Sequence, residues 1–325
     1  MNLPHRHQEL ADHHAINQLN SHLHSRSQPS TINSLAWNCD GRRLATASSD
    51  AQLVVAKFDG TRLVPDYIGT NHKETIDQVC WHQTNSDLLV TAAADKSVRV
   101  WDARARKCTH NFATKYANLN VTWSPDGNFI GYSDKGDRVT VLDTRTWKTS
   151  FTKDFKTETN ELCWEPNTRY LFIATGQGLV QIFNTTGSSM ALHCQLKAHP
   201  VQCVCNTIRM SPKGRMFAVG GNDAVVSLWD LNNLVCLRTV DRLEYSIRQV
   251  SFSHDEQMLA AGSEDPFIDI SYTQTGQRIT ELKGDADTYS LSWNPKHHVL
   301  AFTTNAPHSR DRDAPGAVKL FGLSD

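Results

Sequence analysis

One short phrase returns along this chain: an apolar run ending in a large residue, a tight turn, then small and apolar residues. The large residues are Trp37, Trp81, Trp123, Trp164, Met210, Phe252 and Trp293, spaced 41 to 46 residues apart. A period of about 40–45 residues with strand-like content is that of a four-stranded propeller blade. Such blades protect their edges by packing radially and closing on themselves. The expected fold is all-β, a seven-bladed β-propeller.

Blade two is the clearest copy. Ile76-Asp77-Gln78-Val79-Cys80-Trp81 alternates apolar and polar residues, as a half-buried strand does. Leu88 to Ala93 reads as a second strand, Ser97 to Asp102 as a third, and Lys107 to Ala113 as an outer fourth. Blade five repeats the order, from Cys205 through Trp229-Asp230. The turn Ser124-Pro125-Asp126-Gly127 follows its anchor directly, and related turns follow the others; Pro in second place and Gly in fourth suit a type I turn. Ala317 to Gly322 takes the third-strand position of blade seven, and almost no chain follows it. The segment around Leu19 to His24 is expected to supply the missing strand and pin the ring shut. The expected organisation is a disordered tail over 1–18 and a single propeller over 19–325.

Length alone, at 325 residues, would admit two or three domains, but the unbroken repeat overrides that. With 33 basic and 34 acidic residues there is no basic excess, so any RNA contact is expected to be local and weak. No run approaches the roughly 18 apolar residues of a membrane span, and no secretory signal opens the sequence, so a soluble intracellular protein is expected. The eight cysteines are scattered; they read as small buried hydrophobes in a reducing compartment. Cys203-Val204-Cys205 is one residue too tight for the usual zinc pair. His5, His7, His13, His14, His22 and His24 make a His-rich tail, but no cysteine or paired carboxylate accompanies it, so no metal is assigned there. No phosphate loop, nucleophile elbow or metalloprotease motif is present. No cofactor, catalytic residue or small-molecule substrate is expected.

Trp101-Asp102 and Trp229-Asp230 resemble the dipeptide of the WD40-repeat family, and His72 and His199 stand where that family often has Gly-His. The resemblance implies a hydrogen-bonded set joining His, a strand hydroxyl, a turn Asp and Trp. His72, Asp95 and Trp101 match three of the four, as do His199, Asp223 and Trp229. The hydroxyl position holds Ala93 in one and Gly221 in the other, so both sets are expected to be incomplete. Asp50 and Asp265 keep the turn acid in blades one and six, but Ala56 and Ser271 replace the Trp. A His–Asp pair could also be a catalytic dyad; the repeat accounts for it without chemistry.

Further strings are similar to the WD-repeat subunits of THO complexes: residues 32–45, 222–230, 250–255, 264–270 and 318–323, in that serial order. That likeness implies a non-catalytic nuclear scaffold acting in messenger-RNA assembly and export. Its implied partners are other THO subunits, large helical ones. An alternative rests on Trp101-Asp102-Ala103-Arg104. In some WD-repeat proteins such an ending docks a cullin-type ubiquitin ligase, and Arg104 would be the contact; a solvated basic run with Arg99, Arg106 and Lys107 explains it equally. The insertion from Asn305 to Ala314, carrying Arg310, Asp311, Arg312 and Asp313, is the other candidate partner contact, because loops longer than the repeat requires often bind.

Overall fold

A computed structural model describes residues 16–21, 30–187, 189–284, 288–304 and 317–322. Most of the expected tail and the whole Arg310–Asp313 candidate lie outside the described residues. Among the described residues there are seven four-stranded antiparallel sheets and no helix. The chain is a seven-bladed β-propeller.

The innermost strands are Ile32–Trp37, Ile76–Trp81, Asn118–Trp123, Thr159–Trp164, Cys205–Met210, Gln249–Phe252 and Leu291–Trp293. Each ends on its anchor, and each anchor is buried or nearly so. Two of the five anchor indoles also reach into the preceding blade. Trp81 Nε1 donates to the carbonyl of Ala36 in blade one at 2.9 Å. Trp37 Nε1 donates to Ser292 in blade seven at 3.0 Å. These anchors fill the wedge between blades and also stitch one inner strand to the preceding one. Trp123 instead donates to Gly127 in its own turn, at 2.9 Å.

The turns after the anchors share one face of the ring and touch in sequence. Gly127 sits at φ +76° with His82 of the preceding turn packed where a Cβ would go, so both the backbone and the neighbour require glycine. Arg43 pairs with Asp87 at 2.5 Å, Arg215 with Glu256 at 2.9 Å, and Asn294 Nδ2 donates to Gly41 at 2.8 Å, linking turns of adjacent blades.

Blade seven packs directly on blade one, where the Leu35 N–H donates to Ser290 Oγ at 3.0 Å. Ile16–Ser21 runs antiparallel beside Ala317–Gly322 as the outer strand of blade seven, with Leu19 opposite Leu320 and Ser21 opposite Val318. This strand begins before residue 19, where the propeller was expected to start, and His22 to His24 lie outside the described residues.

Candidate functional site

The inner strand of a blade is a sheet edge, and its free N–H groups face the channel. Such groups need partners. The residues three before each anchor are Ser34, Gln78, Asn120, Glu161, Thr207, Gln249 and Ser290, all polar. Four of them cap the next blade around. Ser34 Oγ accepts from Val79 N–H at 3.3 Å, Gln78 Oε1 from Val121 at 2.5 Å, Glu161 Oε2 from Ile208 at 2.8 Å, and Ser290 from Leu35. Cys80 Sγ and Ser251 Oγ do the same for Trp123 and Trp293, at 3.4 and 3.0 Å.

Glu161 is the hub. It is 3% exposed and also accepts from Thr207 Oγ1 at 2.6 Å and from Gln78 Nε2 at 3.0 Å, reaching from blade four across to blade two. Arg209 from blade five closes on it as an ion pair. With its amide oxygen turned inward, Gln249 of blade six accepts from Arg209 Nη2 at 2.6 Å. The result is a polar bar across the channel. A cavity of about 530 Å³ remains, lined by every anchor but Phe252 and by the turn prolines, Cys80, Cys163 and Arg209. Burial pushes the Cys163 thiol up to about 11, so it stays protonated at neutral pH and is a poor nucleophile or ligand. All eight cysteines are free; Cys205 is buried, but Cys236 is exposed on an outer strand, contrary to the expectation that all serve as buried hydrophobes.

In three blades the residue four before the anchor forms a second link. Asn33, Asn160 and Asn206 each donate Nδ2 at 3.0 Å to a carbonyl at or just before the start of the next inner strand, at Ile76, Cys205 and Ile247. Blade two has Asp77 there, and a carboxylate cannot donate. Its Oδ2 is buried without a partner, and burial raises its pKa from 3.8 to about 6 despite the pull of Lys135. A carboxyl with a raised folded pKa stabilises the fold below about pH 4 and loses that contribution as pH rises through about 6. Asp77→Asn should therefore stabilise the propeller by about 1–3 kcal/mol near neutral pH, with a smaller gain near pH 4. Paired melts of variant and parent across that range test this; a pH-independent difference sinks it.

Both His–Asp–Trp sets are complete, which corrects the expectation. In blade two, His72 Nδ1 meets Asp95 Oδ2 at 2.9 Å and Nε2 meets Thr91 Oγ1 at 2.7 Å, while Trp101 Nε1 donates to Thr91 Oγ1 at 2.9 Å. In blade five, His199 meets Asp223 at 2.9 Å and Ser227 Oγ at 3.3 Å, and Trp229 Nε1 donates to Ser227 at 2.9 Å. The hydroxyl comes from Thr91 and Ser227, not from positions 93 and 221. At Gly221 a Cβ would lie 2.3 Å from Asp223 Oδ1 and 2.8 Å from His199 Nδ1, leaving no room for a side chain. Burial lowers the His72 pKa against the pull of Asp95, which keeps the ring neutral as a relay between hydroxyl and carboxylate. In blade six, where Ser271 replaces Trp, Arg242 enters instead and binds the buried Asp269 at 2.8 and 2.9 Å. These groups serve one another.

Arg104 is exposed, in a turn fixed by Asp102 Oδ1 accepting from Ala105 N–H at 2.7 Å. Its neighbours are engaged: Arg106 pairs with Asp66 at 2.7 Å, and Arg99 Nε donates to Ser97 at 3.1 Å. The basic run thus narrows to Arg104 and Lys107 as charges open to a partner. Sequence reasoning missed the Glu161 bar and the inter-blade asparagines. The signal for the bar was the polar residue three before every anchor; four before, blade three holds Leu119, so the asparagines follow no constant pattern.

Comparison with known proteins gives a family model, the THOC3 beta-propeller domain, that matches residues 28–303. "THO complex subunit 3" of Arabidopsis thaliana is 36% identical over 306 residues, 93% of this chain and 96% of that protein. "WD repeat-containing protein AAC3" of Dictyostelium discoideum is 29% identical, over 89% of this chain and 64% of that protein. "Protein TEX1" of Saccharomyces cerevisiae is 23% identical, over 77% and 64% respectively. With all seven anchors and the turns that follow them inside the matched span, the chain belongs to the THOC3 β-propeller family.

Proposed function

We propose that this chain is a non-catalytic scaffold subunit of a THO-type complex in the nucleus, supporting messenger-RNA assembly and export through protein contacts. The observation that carries this reading is the near end-to-end match to a THO complex subunit. The geometry supports it. The channel's polar side chains join blades and both His–Asp pairs brace single blades, so binding falls to the outer faces and rim. The partners are the other THO subunits, with large helical ones foremost. The Arg310–Asp313 insertion is the first segment to test for contact with them, and Arg104 is the residue to test for the cullin alternative. RNA contact is subordinate, in keeping with a net charge of −1.

Affinity purification of the tagged chain from nuclear extract tests the proposal. THO subunits should co-purify in stable amounts, and Arg104→Ala should retain them. Recovery of a cullin adaptor without THO subunits, lost in Arg104→Ala, would overturn it.

A further inference from the structure

The turn face brings two histidines and an aspartate of neighbouring blades together. His254 and Asp255 lie in the first turn of blade six, and His298 ends the matching turn of blade seven. One donor atom from each of the three lies within 4.8 Å of the other two. Asp255 Oδ2 and His298 Nε2 are 3.2 Å apart, and the two imidazole centroids are 4.4 Å apart at a tilt of 46°.

Three features point to a metal ion. The Asp255 carboxylate is already set: Oδ1 accepts from Ser253 Oγ at 2.6 Å and from Gln257 N–H at 3.1 Å, leaving Oδ2 aimed at His298. A carboxylate oriented through one oxygen and presenting the other is how ligands are held by their surroundings. His254 stands where blades three, four, five and seven have Pro125, Pro166, Pro212 and Pro295, so the turn itself does not ask for histidine. Finally, 3.2 Å is close to the edge of a tetrahedron whose donors lie about 2.0–2.1 Å from zinc. The His254 donor lies within 4.8 Å of both, so its ring must turn toward them to complete the set.

We propose that His254, Asp255 and His298 bind one divalent transition ion, with zinc the best match to two imidazoles and a carboxylate. Magnesium and calcium, which prefer all-oxygen sets, are poor matches. Three protein ligands leave a fourth position open to water or to a donor from a docked subunit. Lys213 Nζ, donating to the Asp255 carbonyl at 3.1 Å, opposes a second positive charge and holds the affinity below that of a closed structural site.

The test uses the full chain stripped with chelator, because the His-rich N-terminal segment offers a second place for zinc. Binding to the folded turns raises the melting temperature by mass action, and loss of that rise in His254→Gln separates it from zinc held by the N-terminal histidines. Zinc should raise the parent's melting temperature, and magnesium should not. His254→Gln and His298→Gln should each lose one equivalent of zinc by equilibrium dialysis and lose the zinc-dependent rise. His298→Gln also removes a hydrogen bond and could lower the chelated baseline, so His254→Gln decides. An unchanged parent melting temperature at saturating zinc, or variants that keep the full zinc count and the rise, would overturn the proposal.

Discussion

Glu161→Ala should destabilise the propeller by about 3–5 kcal/mol, the range for removing one partner of a buried ion pair. Glu161 accepts from Ile208 N–H, Thr207 Oγ1 and Gln78 Nε2 as well as pairing with Arg209. Truncation leaves the guanidinium of Arg209 without its counter-charge, and leaves the Ile208 N–H without its acceptor. Arg209 cannot simply neutralise, since its proton is not given up at any ordinary pH. Glu161→Gln keeps an acceptor oxygen and should cost less than Glu161→Ala. A double change of Glu161 and Arg209 to Leu and Met should recover much of the loss, because both charges then vanish together. Urea titration of the four proteins checks the order. A midpoint for Glu161→Ala within error of the parent would mean the bar across the channel contributes nothing to stability.

The ring was legible because its determinants are local. An anchor, a turn and two small-residue strands repeat at fixed spacing, and the sheets follow. What joins blades was less legible, since it depends on which side chains the ring's radius brings together. Gln78 and Glu161 belong to blades that are not adjacent in the ring, and no local pattern pairs them. The hydroxyl of the His–Asp–Trp sets was misplaced for a related reason. Thr91 lies opposite Arg99 and Val219 lies opposite Ser227, the same rung of the sheet in the two blades. The hydroxyl sits on one strand of that rung in blade two and on the other in blade five. Offset along the chain cannot show this; cross-strand register can. Partner surfaces were the least legible. Arg104 stands out only once Arg99 and Arg106 are seen to be engaged, and the inserted loop of blade seven was visible only as a departure from the repeat.

Removing residues 1–24 should destabilise the whole propeller, whereas removing residues 1–14 should leave it nearly unchanged. Ile16–Ser21 supplies the outer strand of blade seven. Without it, Ala317–Gly322 becomes the edge, with backbone groups left to solvent or to another chain. At about 1 kcal/mol net per hydrogen bond, the loss of some four ladder bonds is worth about 4 kcal/mol. The cost spreads beyond blade seven, because that blade seals the ring against blade one through Leu35, Trp37 and Asn294. A three-stranded blade seven holds its inner strand less firmly, so the seam should open and the remaining six blades should melt with it in one transition. The exposed edge should also make the longer truncation self-associate as concentration rises, which the shorter one should not do. Thermal melts and sedimentation at several concentrations separate the two effects. Equal melting temperatures for both truncations would show that the contact between blades seven and one closes the ring without the N-terminal strand.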